Sequence, residues 1–164
     1  MKTAYLALGS NLGDRAANLS RARQHIAAEG IQIVRESSIY ETAPREILDQ
    51  PWFLNQVIEV ETLLFPRQLL SRLKAIEHAL GRTRTVAKGP RIIDLDILLF
   101  GDFVVSTADL EIPHPRMPER RFVLEPLAEL APDLRHPVTK QSIREMLKQV
   151  SDQAVRRLDA DERR

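Results

Sequence analysis

Short apolar runs separated by polar turns dominate the chain, and their periods sort them into strands and helices. Ala4 to Leu8 is apolar and is closed by Gly9-Ser10-Asn11-Leu12-Gly13-Asp14, which predicts a strand followed by a turn-rich loop. Between Asp14, an N-cap residue type, and Gly30, a helix-ending one, Leu19, Ala22 and Ile26 recur at helical spacing. Ile31 to Tyr40 alternates in its first half and predicts a second strand, and residues 41–51 predict a loop. Phe53 to Thr62 predicts a third strand, with Phe53, Asn55, Val57 and Glu59 on one face and Leu54, Gln56, Ile58 and Val60 on the other. Pro66 opens a helix whose stripe is Leu69, Leu73, Ile76 and Leu80, and Gly81 ends it.

After a basic loop at 82–91, Ile92 to Phe100 predicts a fourth strand. Gly101-Asp102 then turns towards a short strand, Phe103-Val104-Val105. Pro113, Pro115 and Pro118 exclude regular structure around His114, and a helix follows near 122–131. Ser142-Ile143-Arg144-Glu145 has the capping-box pattern of a last helix, and the charged tail after Val150 is expected to fray. The order βαββαβ predicts an α+β fold, a ferredoxin-like sandwich in a single domain spanning 1–164, with helices covering one sheet face and extra C-terminal helices.

Composition narrows the chemistry. Hydrophobic residues make up 43% and charged residues 29% of 164, and the net charge is +1. Nothing in that balance provides a global field for nucleic acid or an anionic membrane. The absence of cysteine removes disulfides, thiolate metal sites and cysteine nucleophiles, and suits a reducing cytoplasm. No apolar run spans a bilayer, and Met1 to Leu6 runs straight into a polar loop, unlike a secretory leader. Nothing calls for an obligate dimer, so a monomer is expected.

Against this ordinary background, Asp94 and Asp96 stand out inside the apolar run Ile92-Ile93-Asp94-Leu95-Asp96-Ile97-Leu98-Leu99-Phe100. An unpaired buried carboxylate is costly, and two on one strand face ask for a cation. The alternation places Ile93, Leu95, Ile97 and Leu99 towards the helices and the aspartates on the opposite face with Ile92, Leu98 and Phe100. Alternate residues lie roughly 6.5–7 Å apart along a strand, close enough to share one or two hard cations such as magnesium. The preceding loop carries Arg82, Arg84, Lys88 and Arg91 without an acid, a phosphate-binding composition. His114, Arg116, Arg120 and Arg121 supply a second positive group. Phe53 and Asn55 share a face, where a ring can stack on a flat heterocycle while an amide reads its edge, and Phe122 offers a second ring.

Together these residues resemble one family, the 6-hydroxymethyl-7,8-dihydropterin pyrophosphokinases of folate biosynthesis. The resemblance runs through residues 3–150 and rests on Leu8-Gly9-Ser10-Asn11-Leu12-Gly13, Tyr40-Glu41-Thr42-Ala43-Pro44, Gln50-Pro51-Trp52-Phe53-Leu54-Asn55, Gly81-Arg82-Thr83-Arg84, Gly89-Pro90-Arg91-Ile92-Ile93-Asp94-Leu95-Asp96-Ile97 and Ile112-Pro113-His114-Pro115-Arg116-Met117. It implies transfer of diphosphate from ATP to the pterin hydroxymethyl group, with release of AMP. By resemblance, Asp94 and Asp96 hold two Mg²⁺ ions. Arg82, Arg84, Arg91, Ile97, His114 and Arg120 contact ATP, with Arg82 and Arg91 also catalytic alongside the aspartates. Thr42, Pro44, Arg45, Phe53, Asn55 and Phe122 bind the pterin.

Glu46-Ile47, Lys88, Asp109 and Glu111 depart from the family pattern, and the last two carry no transferred role. Loops 9–14, 43–51 and 82–91 are expected to close over bound substrates and exclude water. An RNA-binding sheet and a metal-dependent phosphohydrolase are the competing classes. The first lacks both basic charge and an aromatic pair of the RRM type.

Overall fold

A computed structural model describes residues 1–43, 49–81 and 91–159. In its main sheet, β1 (Lys2–Ser10) lies between β5 (Asp94–Phe100) and β4 (Phe53–Thr62), antiparallel to both. The far side of β4 is shared by β2 (Gln32–Glu36) and β3 (Tyr40–Thr42). Taking β2 and β3 as one interrupted strand gives the expected ferredoxin-like order. The crossovers are α1 (Arg15–Ala28) and α2 (Pro66–Ala79). Asp14 caps α1 by accepting from the Ala17 amide at 3.1 Å. Gly81 ends α2 with φ +92°, a conformation that a side chain resists.

One core fills the space between the sheet and these helices, with Leu6, Leu8, Ile58, Ile93 and Leu95 packed against Leu19, Ile26, Leu69, Leu73 and Ile76. The opposite face is also covered, contrary to a one-sided sandwich. There α3 (Arg121–Leu130) and α4 (Ile143–Lys148) bury Val123, Leu124, Leu127, Ile143 and Met146 over Tyr5, Val57, Leu98 and Leu99. The amphipathic α3 needs an apolar partner, and this face of β4 and β5 offers one. The capping box at Ser142 forms as expected, with Glu145 N donating to Ser142 Oγ at 3.1 Å.

Four further expectations are corrected. The strand read as Ile31 to Tyr40 breaks at Ser37-Ser38, where the Ser37 hydroxyl takes the Val57 amide at 3.0 Å and its own amide reaches the Val57 carbonyl at 2.9 Å. In β5, Leu6 pairs with Ile97 and Tyr5 with Leu99, so Leu98 is an extra, bulged residue. Alternation therefore inverts beyond it, putting Leu99 in the second core and Phe100 in the first, while Ile92, just before the strand, packs against the first. The tail does not fray over 150–159. There β8 (Arg156–Arg157) pairs with β3, and Leu158 is buried in the first core with its amide on the Ile39 carbonyl at 2.9 Å.

The short strand expected at 103–105 starts later, as β6 (Val105–Ser106) paired with β7 (Glu111–Ile112). Among the described residues, no helix is long and apolar enough to cross a membrane.

Candidate active site

The second helical layer covers only part of its sheet face. Beyond it lies a cavity of about 250 Å³ whose lining includes Gly9, Phe53, Asn55, Asp94 and Asp96 from the sheet and Thr42, Arg91, His114, Arg120 and Phe122 around them. Strand register sets the arrangement. Gly9 pairs with Asn55 on one side and with Asp94 on the other, and Asn55 pairs with Tyr40. Asn55 donates from Nδ2 to Thr42 Oγ1 at 2.9 Å, which fixes the amide plane. A Cβ at Gly9 would stand 3.3 Å from Asn55 Oδ1, so the bare backbone there admits the amide in this position.

On the other side, Asp94 and Asp96 are half-buried and share the cavity face, as the alternation predicts. Arg91 Nη1 donates to Asp94 Oδ2 at 3.2 Å. Its backbone is fastened to Asn11, which donates its amide to the Arg91 carbonyl at 3.0 Å and accepts the Arg91 amide on Oδ1 at 2.7 Å. The fully buried Asn11 also donates from Nδ2 to Gln50 Oε1 and the Pro51 carbonyl at 2.9 and 3.0 Å. One side chain thus joins loop 9–14 to both sides of the cavity. Beneath the aspartates, the buried Glu77 of α2 accepts the Leu95 amide at 2.7 Å, fixing the backbone between them.

This donor set fits a hard divalent cation. Among the described residues no group of three or more His, Cys, Asp or Glu converges to form an all-protein metal cage. Two carboxylates beside cationic side chains instead match magnesium, which completes its shell with water and substrate phosphates.

The β5 bulge also places His114. The Leu98 carbonyl accepts the His114 amide at 3.0 Å, and His114 Nδ1 accepts the Arg116 amide at 3.2 Å. The neutral ring therefore carries its proton on Nε2, as a donor. Burial holds the imidazole below its ordinary pKa. Arg120 and Arg116 add to that shift, while Asp94 opposes it. The Arg120 guanidinium lies 5.5 Å from the Phe122 ring centroid, joining a cationic and an aromatic wall.

The cavity thus gathers Thr42, Phe53, Asn55, Arg91, Asp94, Asp96, His114, Arg120 and Phe122, all expected from the sequence. Ile97, expected to contact ATP, has its side chain 4% exposed in the core facing α1 and α2 and does not line the cavity. Pro44, Arg45, Arg82 and Arg84 lie outside the described residues, as do Glu46, Ile47 and Lys88. Asp109 is bound to Arg67 at 2.9 Å, and neither it nor Glu111 lines the cavity.

No role was read from the sequence for Asn11, Glu77, Gln50 or Glu119, whereas Arg116 of the second positive group lines the cavity as expected. Glu77 had a signal, since it lies four residues after Leu73 on the buried stripe of α2. Asn11 had none, because its partners are 39 to 80 residues away.

The sequence pattern of the 7,8-dihydro-6-hydroxymethylpterin-pyrophosphokinase (HPPK) family matches residues 5–132. A 2-amino-4-hydroxy-6-hydroxymethyldihydropteridine pyrophosphokinase from Methylorubrum extorquens is 44% identical over 97% of this chain and 100% of its own length. The enzyme of that name from Bacillus subtilis is 49% identical over 83% of this chain and 82% of its own. The folic acid synthesis protein fol1 of Pneumocystis carinii is 43% identical over 93% of this chain, which spans only 20% of that longer protein. In three dimensions, wild-type HPPK-DHPS from Plasmodium falciparum superposes with a TM-score of 0.73 at 19% identity, over 90% of this chain and 44% of that one. That likeness supports the ferredoxin-like fold. The matched family pattern and the bacterial relatives show that the chain belongs to the HPPK family.

Proposed function

We propose that this chain transfers diphosphate from ATP to the hydroxymethyl oxygen of 6-hydroxymethyl-7,8-dihydropterin, giving the pterin diphosphate and AMP. The observation that carries the reading is the pairing of Gly9 with both Asn55 and Asp94, which puts an edge-reading amide and a cation-binding carboxylate on one cavity floor. Phe53 and Phe122 stack the pterin, Asn55 and Thr42 read its edge, and Pro44 and Arg45 complete that side. Asp94 and Asp96 hold two magnesium ions. When bound, magnesium neutralises phosphate charge and acidifies the oxygens it contacts.

Arg91, His114 and Arg120, with Arg82 and Arg84, hold the polyphosphate. Neutral His114 donates from Nε2, so it binds a phosphate oxygen as the neutral imidazole, without taking up a second proton. The hydroxymethyl oxygen attacks the β-phosphorus, the bond from that phosphorus to the α,β-bridging oxygen breaks, and AMP leaves with the electron pair. The hydroxyl proton is released. Such transfers depend on alignment and charge stabilisation, which the register across Gly9 and the surrounding cations support. We place the activity in the cytoplasm, in a monomer acting on small molecules, consistent with the cysteine-free composition.

Chromatography of nucleotides after incubation with ATP and Mg²⁺, with the reduced pterin present or omitted, tests the reading. AMP is expected only with the pterin. AMP or phosphate released equally without it identifies a phosphohydrolase.

A further inference from the structure

The wall on the Thr42 side of the cavity is built on β3, a strand of three residues. So short a strand needs other restraints, and a cluster of ions outside the cavity provides them. Side chains of Tyr40 and Thr42 lie on the cavity side, where Thr42 takes the Asn55 amide. Glu41, between them, points to the other face. Its Oε2 accepts from Arg15 Nη1 at 2.8 Å and its Oε1 from Arg156 Nη2 at 2.9 Å. The Arg15 Nη1 group also donates to the Trp52 carbonyl at 2.8 Å, immediately before Phe53.

Glu41 is thereby tied to the first residue of α1, to the residue preceding Phe53 and to the C-terminal strand β8. The Glu41 side chain is only 15% exposed; its contact with Arg15 is partly buried, while that with Arg156 lies at the surface. Through Arg156, β8 joins Glu41 to backbone pairing of the strand itself, Glu41 with Arg156 and Tyr40 with Arg157.

We propose that Glu41, clamped between Arg15 and Arg156, is a positioning residue for the pterin side of the cavity, and that β8 belongs to the substrate-binding apparatus through it. The clamp touches no substrate. It sets the spacing between Thr42 on β3 and Phe53 and Asn55 on β4, and leaves the Asp94 side of the sheet alone. This rests on the assignment of that side to the pterin.

The test compares the unsubstituted chain with Glu41→Gln, Arg156→Met and the control Arg35→Met, which removes a comparable pair to Glu59 on β4 outside the cavity. Michaelis constants for pterin and ATP are measured with thermal unfolding for each. Glu41→Gln and Arg156→Met are expected to raise the pterin KM about threefold to tenfold while the ATP KM stays within about twofold. Combining them should add little beyond the larger single effect. Arg35→Met should shift neither constant.

An unchanged pterin KM overturns the proposal, as does an equal rise for both substrates or an equal rise in Arg35→Met. No pterin-dependent AMP from the unsubstituted protein defeats the functional reading itself and the positioning role with it. Turnover by that protein with unaltered variants defeats the positioning role alone.

Discussion

Gly9 stands between Asn55 and Asp94, so the amide and the carboxylate are two strand spacings apart, roughly 9.5 Å. Adding a methyl group at Gly9 presses on Asn55 Oδ1 at 3.3 Å. Gly9→Ala is expected to raise the pterin KM several-fold and cost about 1–2 kcal/mol of stability, measured by steady-state kinetics and denaturant unfolding. Asp96→Asn should cut turnover at least about 100-fold and weaken Mn²⁺ uptake with a non-hydrolysable ATP analogue, measured by electron paramagnetic resonance, in a folded protein. Unchanged Mn²⁺ uptake contradicts the metal assignment.

The faces of Asp94 and Asp96 were legible because alternation holds up to Leu98. Leu99 and Phe100 were misread because a bulge leaves no mark in an unbroken apolar run. Ile97 shares parity with Leu95, so its side chain faces α1 and α2.

At the scale of elements, β4 was readable to the residue, since its β-branched and aromatic residues run unbroken by glycine or proline between Pro51 and Pro66. The two-residue β8 was not, because its partner β3 lies over 100 residues earlier and its own residues are arginines. Its attachment has a pH signature. Burial by itself raises the pKa of the Glu41 carboxyl, but hydrogen bonds from Arg156 and Arg15 outweigh it and leave the group below its usual 4.5. A carboxylate depressed on folding adds stability above its unfolded pKa, and that contribution is lost as pH falls through the folded value.

Urea unfolding of the protein and Glu41→Gln should therefore differ by about 1 kcal/mol at pH 6 and converge towards pH 3. A gap independent of pH contradicts the ionic clamp. In α2, Glu77→Ala should cost about 1–3 kcal/mol, because it strips the buried Leu95 amide of its acceptor, while Glu77→Gln costs less.

For the whole molecule, the two helical layers explain why the cavity exists: α1 and α2 complete one core, and α3 covers the other sheet face only as far as Val57 and Leu98. Segment order alone revealed the first layer. The second depended on α3 turning back over the sheet after the prolines around His114, a long-range outcome without a local marker. Binding of both substrates is expected to slow amide exchange in 9–14, 43–51 and 82–91, and unchanged exchange in all three contradicts closure.

In the proposed reaction ATP and the pterin meet in one cavity, and diphosphate passes directly to the hydroxymethyl oxygen. Mass spectrometry of the products formed from pterin labelled with oxygen-18 in that hydroxyl follows the transfer itself. One unlabelled AMP is expected for each pterin diphosphate, with the label kept in the carbon–oxygen–phosphorus bridge. Label lost from the pterin, label found in AMP, or phosphate released without pterin diphosphate would contradict direct transfer.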